Sequence, residues 1–343
     1  MYATSTQKKY WTFSVEELEN KRVALNKAYI DRHRRYLESE EELALFPTSE
    51  DERQFCRIVA DTGIRFGKEF QPALPPAVRW TALMYYKRFY LTTTPSDFTP
   101  KFIMMTCYFL AAKVDEFNIR TQQFVRNLQY GEPDKNAEII LKTEPKIMEQ
   151  LDYQLTYGEP DKNAEIILKT EPKIMEQLDY QLTVHTPFRP FEGHLVELKT
   201  KLPLIDFDLE QIRPPAMKFF DLALIGDVML LHPPTHIALA AVQYALDELA
   251  QSHLLKDFLY KFLDLDPWTS KDEEKQQVDK LLRRIEEVKR LVITQSNPMP
   301  QETYESTANR MKAFTSFLCI LEKRMSAAPD TPMETGGMSD DSD

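Results

Sequence analysis

The stretch that decides the fold runs from Pro100 to Phe117 and reads PKFIMMTCYFLAAKVDEF. Apolar side chains occupy almost every side of a helix drawn from Phe102 to Ala112, and such a helix must be buried among other helices. Pro100 suits the first turn, where its missing N–H costs no hydrogen bond. The apolar run gives way to charged side chains at Lys113 and Glu116, so the charged end of the helix either reaches solvent or pairs with another protein.

Composition limits the class of protein. The chain has 343 residues, enough for two ordinary domains, with 22 prolines, only 8 glycines and a net charge of −11. Helical spacing of apolar residues predicts an all-α protein, and the acidic balance argues against a general nucleic-acid surface. Three scattered cysteines show no metal-ligand spacing, and no apolar run is long enough for a membrane span. We therefore expect a soluble, intracellular protein.

Further helices are predicted on both sides of the central stretch. Ser14 and Glu17 form a capping box that starts a helix reaching about Leu37. Three more helices are expected at about 51–70, 77–91 and 122–129. Short connections around one nearly all-apolar helix predict a compact bundle and not a solenoid.

A resemblance to a known family rests on four segments. Pro72 to Leu91, PALPPAVRWTALMYYKRFYL, and the central stretch closely resemble the first cyclin box of the cyclin family. YWTFS at Tyr10 to Ser14 and VHTPFRPFEGHL at Val184 to Leu195 extend the resemblance, which covers most of residues 10–265. The similar branch of the family belongs to the cyclin-dependent-kinase-activating kinase.

The resemblance implies an all-α fold of two tandem five-helix cyclin boxes flanked by N- and C-terminal helices. In such a box the helix corresponding to 100–116 is the hub around which the other four pack. The expected units are an N-terminal helix (1–47), the first box (48–183), the second box (184–294), a C-terminal helix (295–325) and a disordered acidic tail (326–343).

The resemblance also implies a kinase-binding site. A lysine at the end of the hub helix and a glutamate on the fifth helix form the charged pair that holds the kinase in cyclins. The expected kinase-binding residues are therefore Lys113, Glu116 and Phe117, with Glu171 or Glu144. No catalytic residue, metal site or cofactor is expected.

The fifth helix falls in an exact duplication. Tyr130–Thr156 reads YGEPDKNAEIILKTEPKIMEQLDYQLT, and Tyr157–Thr183 repeats it without a change. Both copies cannot occupy one slot in a close-packed core. If the second copy docks, it runs directly into the next domain; if the first docks, that connection gains 27 residues at little entropic cost. We favour the second copy because it keeps the connection short. Pro145 and Pro172 are expected to set the glutamates at a helix start or kink.

The second half repeats this organisation. Pro233-Pro234 leads an apolar helix that occupies the place of the central stretch but lacks a Lys-x-x-Glu ending, so only the first box is expected to bind a kinase. His232 and His236 lie four residues apart, but no further His or Cys nearby completes a metal site. A charged helix at about 272–293 is expected to pack on the second box, and a last helix at about 302–325 to lie beside the boxes.

Several enzyme classes lack their motifs in this sequence. It has no G-x-G-x-x-G, no phosphate-binding G-x-x-x-x-G-K-[ST] and no H-E-x-x-H. The resemblance implies a nuclear regulatory subunit that binds and activates a cyclin-dependent kinase, together with an assembly factor and the transcription factor IIH core. It implies roles in the cell cycle and in transcription by RNA polymerase II, without direct nucleic-acid or membrane binding. The alternatives are a DNA-binding cyclin-box transcription factor and a scaffold without kinase activation.

Overall fold

A computed structural model describes residues 2–127, 160–202 and 207–327, and in these ranges the regular structure is entirely helical. The prediction of an all-α protein is confirmed. None of the described helices is long and apolar enough to span a bilayer. The α-helices are α1 (Thr6–Tyr10), α2 (Val15–His33), α3 (Glu40–Leu43), α4 (Ser49–Glu69), α5 (Pro76–Phe89), α6 (Pro100–Val114), α7 (Thr121–Asn127), α8 (Pro160–Gln177), α9 (Phe188–Lys201), α10 (Arg213–Ala223), α11 (Val228–Leu231), α12 (Pro234–Glu248), α13 (His253–Phe262), α14 (Asp272–Gln295) and α15 (Gln301–Ala327).

Local sequence signals fix the helix starts. Ser14 Oγ accepts a hydrogen bond from the Glu17 N–H at 3.1 Å, and Glu17 Oε2 accepts one from the Ser14 N–H at 2.7 Å, so the predicted capping box of α2 is confirmed. Thr48 and Asp51 form the same motif before α4. Helices α5, α6 and α12 each have proline at their start, where its missing N–H costs no intrahelical hydrogen bond. Helix α2 ends at His33, earlier than predicted, because the chain tightens there into a 3₁₀ turn.

Helix α6 is the hub of the first five-helix unit, formed with α4, α5, α7 and α8. Its residues Ile103 to Ala112 are all buried. Two glycines let α4 approach it closely. A Cβ atom on Gly63 would lie 2.7 Å from Met104 Sδ, and one on Gly67 would lie 2.5 Å from Tyr108 Oη. Larger residues at these positions would push the two helices apart.

Helix α12 is the corresponding hub of the second unit. It packs against α9, α10, α13 and α14, and its residues Ile237 to Val242 are buried on every side. The charged helix α14 turns its apolar stripe inward, with Val278, Ile285 and Val292 buried. The predictions of a second apolar hub and of a charged helix packed on it are both confirmed.

The terminal helices lie beside the first unit, and several contacts join the two units. Helix α15 packs on α4, as predicted for the last helix, and α2 packs on α4 as well. Trp80 of α5 meets the ring of Phe188 edge-on, with centroids 6.0 Å apart. Arg22 of α2 forms two hydrogen bonds to Asp227 at 2.8 and 3.0 Å. The whole first copy of the duplication and nearly all of the acidic tail, which is predicted to be disordered, lie outside the described residues.

Candidate functional site

Lys113 and Glu171, two of the residues expected to bind a kinase, form an ion pair. Lys113 lies in the last turn of α6, Glu171 lies on α8, and Nζ is 2.5 Å from Oε1. The glutamate side chain is only 7% exposed, whereas the lysine side chain is 51% exposed. The Lys113 ammonium also lies 5.6 Å from the centroid of the Phe109 ring. The buried carboxylate therefore holds in place a lysine whose other side remains open to solvent.

The inward stripe of α8 explains why Glu171 is buried. Ile167, Ile174 and Leu178 are fully buried, and Glu171 takes the position in the same stripe between the two isoleucines. Residues at these spacings share one helix face, which here packs against α6. A carboxylate in such a stripe needs a partner, and the Lys113 ammonium at the end of the hub supplies it.

Of the two alternatives expected for Pro172, a helix start or a kink, the first is excluded because Pro172 lies inside α8, and a kink stays a prediction. Proline removes one backbone donor and strains the preceding turn. The packed apolar stripe of α8 outweighs this penalty, because buried side chains on both sides of Pro172 hold the helix to its neighbours.

The end of α6 shapes the surface beside the ion pair. The Phe117 N–H donates to the Ala112 carbonyl at 2.8 Å, and Glu116 takes a left-handed conformation with φ of 57°. This is a helix-terminating turn that usually has glycine at the position of Glu116. Glu116 is exposed, and Phe117 is half-buried against the core. Of these two residues expected to bind a kinase, only Glu116 is fully presented to solvent.

The structure uses the second copy of the duplication, the arrangement favoured above. Helix α8 belongs to that copy, and three hydrogen bonds hold the residues that follow it. Tyr85 Oη donates to the Leu182 carbonyl at 2.5 Å, Arg88 Nη1 to the Gln181 carbonyl at 3.1 Å, and Trp11 Nε1 to Gln181 Oε1 at 2.9 Å. Glu144, the alternative partner of Lys113, lies outside the described residues.

Sequence reasoning missed two apolar side chains next to the pair. Val114, which follows Lys113, is 38% exposed, and Leu168, one turn before Glu171, is 50% exposed. Leu168 is one position off the inward stripe of α8, which is the signal that could have identified it. Partly exposed apolar side chains at this position could add buried apolar area to an interface with another protein.

Metal chemistry receives no support from the described residues. His232 and His236 both have a lowered pKa, chiefly because burial disfavours the charged imidazole. In the described ranges no group of three or more His, Cys, Asp or Glu side chains could hold a metal ion.

Comparison with protein families gives two matches. Residues 27–156 match the family described as Cyclin, N-terminal domain, and residues 186–293 match the Cyclin C-terminal domain. The first match ends with the first copy of the duplication, whereas the fold uses the second. Because the copies are identical, a comparison of sequences cannot distinguish them. The family match therefore ends on the first copy, which follows α7 without an insertion.

Individual proteins are similar over much of their length. Cyclin-H of Xenopus laevis is 35% identical over 71% of this chain and 67% of its own length. Cyclin mcs2 of Schizosaccharomyces pombe is 27% identical over 71% of this chain and 69% of its own.

Two solved structures share the fold. The match in the yeast TFIIK (Kin28/Ccl1/Tfb3) complex has a TM-score of 0.59 and 22% identity, covering 85% of this chain and 100% of that one. The match in the CAK complex of Chaetomium thermophilum bound to ATP-gamma-S has a TM-score of 0.67 and 18% identity, covering 98% of both chains.

Proposed function

This chain belongs to the cyclin family, and we propose that it binds and activates a cyclin-dependent kinase of the kinase-activating complex. As a cyclin it is a regulatory subunit and not itself an enzyme. The relative named Cyclin-H, at 35% identity, supports this branch of the family. By activating such a kinase, the chain acts in cell-cycle control and in transcription.

The Lys113–Glu171 pair is the observation that carries the proposal. It lies at the end of the hub helix, it is already formed in the free chain, and exposed apolar side chains lie beside it. In the proposed complex Lys113 contacts the kinase, and Val114 and Leu168 bury apolar surface around that contact. A central charge within an apolar patch is the arrangement expected of the energetically dominant part of an interface.

Activation follows from a shift in the population of kinase conformations. A protein kinase is active when a lysine of its sheet pairs with a glutamate of its mobile helix. A rigid cyclin box that binds only the inward position of that helix raises the population of the active state. The buried hub α6 and the close approach of α4 provide the required rigidity.

Further partners belong to the same proposal. One structure with this fold comes from the yeast TFIIK complex, which contains Kin28, Ccl1 and Tfb3. By analogy, this chain assembles with a kinase and a third, assembly-promoting subunit, associates with the transcription factor IIH core and works in the nucleus. Glu116 and Phe117 remain proposed contacts, and the proposed domain boundaries are those given above.

Replacing Lys113 with alanine tests the proposal, with Lys169→Ala as a matched control. Lys169 lies on α8 and pairs with Glu165 at 2.5 Å, but both side chains are mostly exposed. We expect Lys113→Ala to weaken binding to the partner kinase by about 3 kcal/mol, roughly a hundredfold in Kd, because the kinase groups that contact the Lys113 ammonium would be left without a partner in the interface. Lys169→Ala should change the affinity by less than about 1 kcal/mol.

The measurements are a calorimetric titration of the kinase catalytic subunit and an assay of its activity towards a substrate peptide. Circular dichroism should show that both variants remain folded. Unchanged affinity of the Lys113→Ala chain would contradict the proposed site. Tight binding of the unaltered chain without any rise in kinase activity would instead favour the scaffold alternative.

A further inference from the structure

A cavity of about 100 Å³ lies where the two five-helix units meet. Helices α2, α4 and α5 line it on one side, and the turn Ile225–Asp227 and the end of α14 line it on the other. The cavity is partly open to solvent. On the same volume scale a single water needs about 10–15 Å³, so the cavity has room for a ligand of several non-hydrogen atoms.

The lining carries more positive than negative charge. Its charged residues are Arg22, Arg53, Arg57 and Lys87 against Glu52 and Asp227, in a chain whose net charge is −11. Burial raises the pKa of Glu52 to about 7, so its carboxyl group is partly neutral at physiological pH. A concave site with a local excess of one charge concentrates ions of the opposite sign.

Two of the four cationic side chains in the lining already pair with carboxylates. Asp227 holds Arg22 through both guanidinium NH₂ groups, at 2.8 and 3.0 Å. Glu50 holds Arg53 in the same bidentate manner, at 2.6 Å for each hydrogen bond.

The other two cations form no direct ion pair in the described part of the chain. Asp227 and Asp61 nevertheless lie near enough to act against the burial that lowers the pKa of Lys87, and Arg57 and Lys87 act against the burial that raises the pKa of Asp61. Lys87 donates to the carbonyl oxygens of Ile225 at 3.0 Å and Gly226 at 2.7 Å, and burial lowers its pKa to about 8. Arg57 donates through Nη2 to the Asn297 carbonyl, while its buried Nε has no hydrogen-bond partner. A buried donor left unsatisfied costs about 1–3 kcal/mol.

We propose that this cavity binds a phosphate group, with Arg57 and Lys87 supplying the charge that holds it. A tetrahedral dianion accepts hydrogen bonds from several donors at once, and guanidinium and ammonium groups are its preferred partners in proteins. Residues of both units line the cavity, so the bound group joins them across their interface. This site is distinct from the Lys113–Glu171 pair and does not depend on the proposed function.

Substitution of Arg57 tests the site, with Arg65→Gln as the matched control. Arg65 lies two turns further along α4, is exposed and does not line the cavity. Inorganic phosphate is titrated into the full chain by calorimetry and by ³¹P NMR line broadening, with chloride at equal ionic strength as the reference. We expect Arg57→Gln to weaken phosphate binding at least about tenfold, Arg57→Lys to weaken it less, and Arg65→Gln to leave it unchanged.

The controls separate specific binding from general salt effects, because phosphate stabilises most proteins by exclusion from their surface. A phosphate signal that equals the chloride signal, or that survives in Arg57→Gln, would overturn the proposal. Glycerol phosphate distinguishes the source of the group. Tighter binding than inorganic phosphate indicates a phosphate ester, and weaker binding indicates the free ion.

Discussion

Replacing Ile174 with alanine tests which copy of the duplication occupies the slot beside α6. Ile174 is fully buried on α8. Removing a buried isoleucine side chain to alanine costs about 2–5 kcal/mol, from lost burial and the cavity left behind. Ile147 is the same residue in the first copy, 27 positions earlier. We expect Ile174→Ala to lower the free energy of unfolding by about 3 kcal/mol and Ile147→Ala by less than about 0.5 kcal/mol.

Because the two copies have the same sequence, the first copy can replace a damaged second copy. This exchange sets an upper limit on how much Ile174→Ala can lower the free energy of unfolding. If the first copy replaces a damaged second copy, the connection before the helix shortens and the one after it lengthens by the same 27 residues. Closure entropy depends on the logarithm of length, so these changes nearly cancel, to within about 1 kcal/mol. What opposes the exchange are contacts made by residues just beyond the second copy. The His185 N–H donates to Gln7 Oε1 at 2.7 Å, and the His185 ring meets Tyr2 edge-on.

The assay is urea unfolding followed by circular dichroism on both single variants and on the double variant. A loss in Ile174→Ala that stays near 1 kcal/mol, with a much larger loss in the double variant, would reveal exchange. Equal losses in the two single variants would refute the assignment of the second copy to the slot. Deletion cannot replace this experiment, because removing residues 130–156 or 157–183 produces one and the same sequence.

Two further predictions concern the junction of the units. Burial raises the folded-state pKa of Glu52 from 4.5 to about 7. The free energy of unfolding is therefore highest below pH 4.5, where the carboxyl group is protonated, and falls as the pH rises through 7, because the buried group must then ionise. Glu52→Gln should therefore be more stable than the unaltered chain by about 3 kcal/mol at about pH 8, with little difference at about pH 4, in urea unfolding at both pH values. A Cβ on Gly226 would lie 2.0 Å from Gln295 Oε1 and 2.7 Å from Gln295 Cβ, so Gly226→Ala should lower the free energy of unfolding by about 1–3 kcal/mol. Adding Gln295→Ala should recover part of that loss in thermal melts, and no recovery would show that the strain lies elsewhere.

The fold could be predicted from sequence where local patterns determine it. Ser14 with Glu17 starts α2, and the apolar run through Ala112 is a buried hub, because capping and burial depend on residues close together in the chain. The same reasoning left two alternatives at Pro172, a helix start or a kink. It could not choose between them, because the neighbours that hold α8 come from α6, which is distant in sequence.

The site could be predicted only in part, for two physical reasons. Identical copies have identical propensities, so no local rule separates Glu171 from Glu144, and the choice depends on the three-dimensional path of the chain. The cavity was not predicted, because Arg57 on α4 and Lys87 on α5 become neighbours only when helices of the first unit pack, and Gly226 joins them only when the two units meet. Nothing in the sequence around any one of them marks a binding site.

The asymmetry of the Lys113–Glu171 pair links the fold to the proposed function. The 7% exposed carboxylate has already lost its water during folding, so its desolvation penalty is part of the stability of the free chain. Only the half-exposed ammonium remains to be desolvated when a kinase binds. The lysine is also fixed by the pair and by the Phe109 ring, so little side-chain entropy is lost on binding. The first unit therefore presents a preorganised charge, and the kinase-binding affinity of Lys113→Ala should fall more than that of variants at exposed pairs such as Lys169–Glu165.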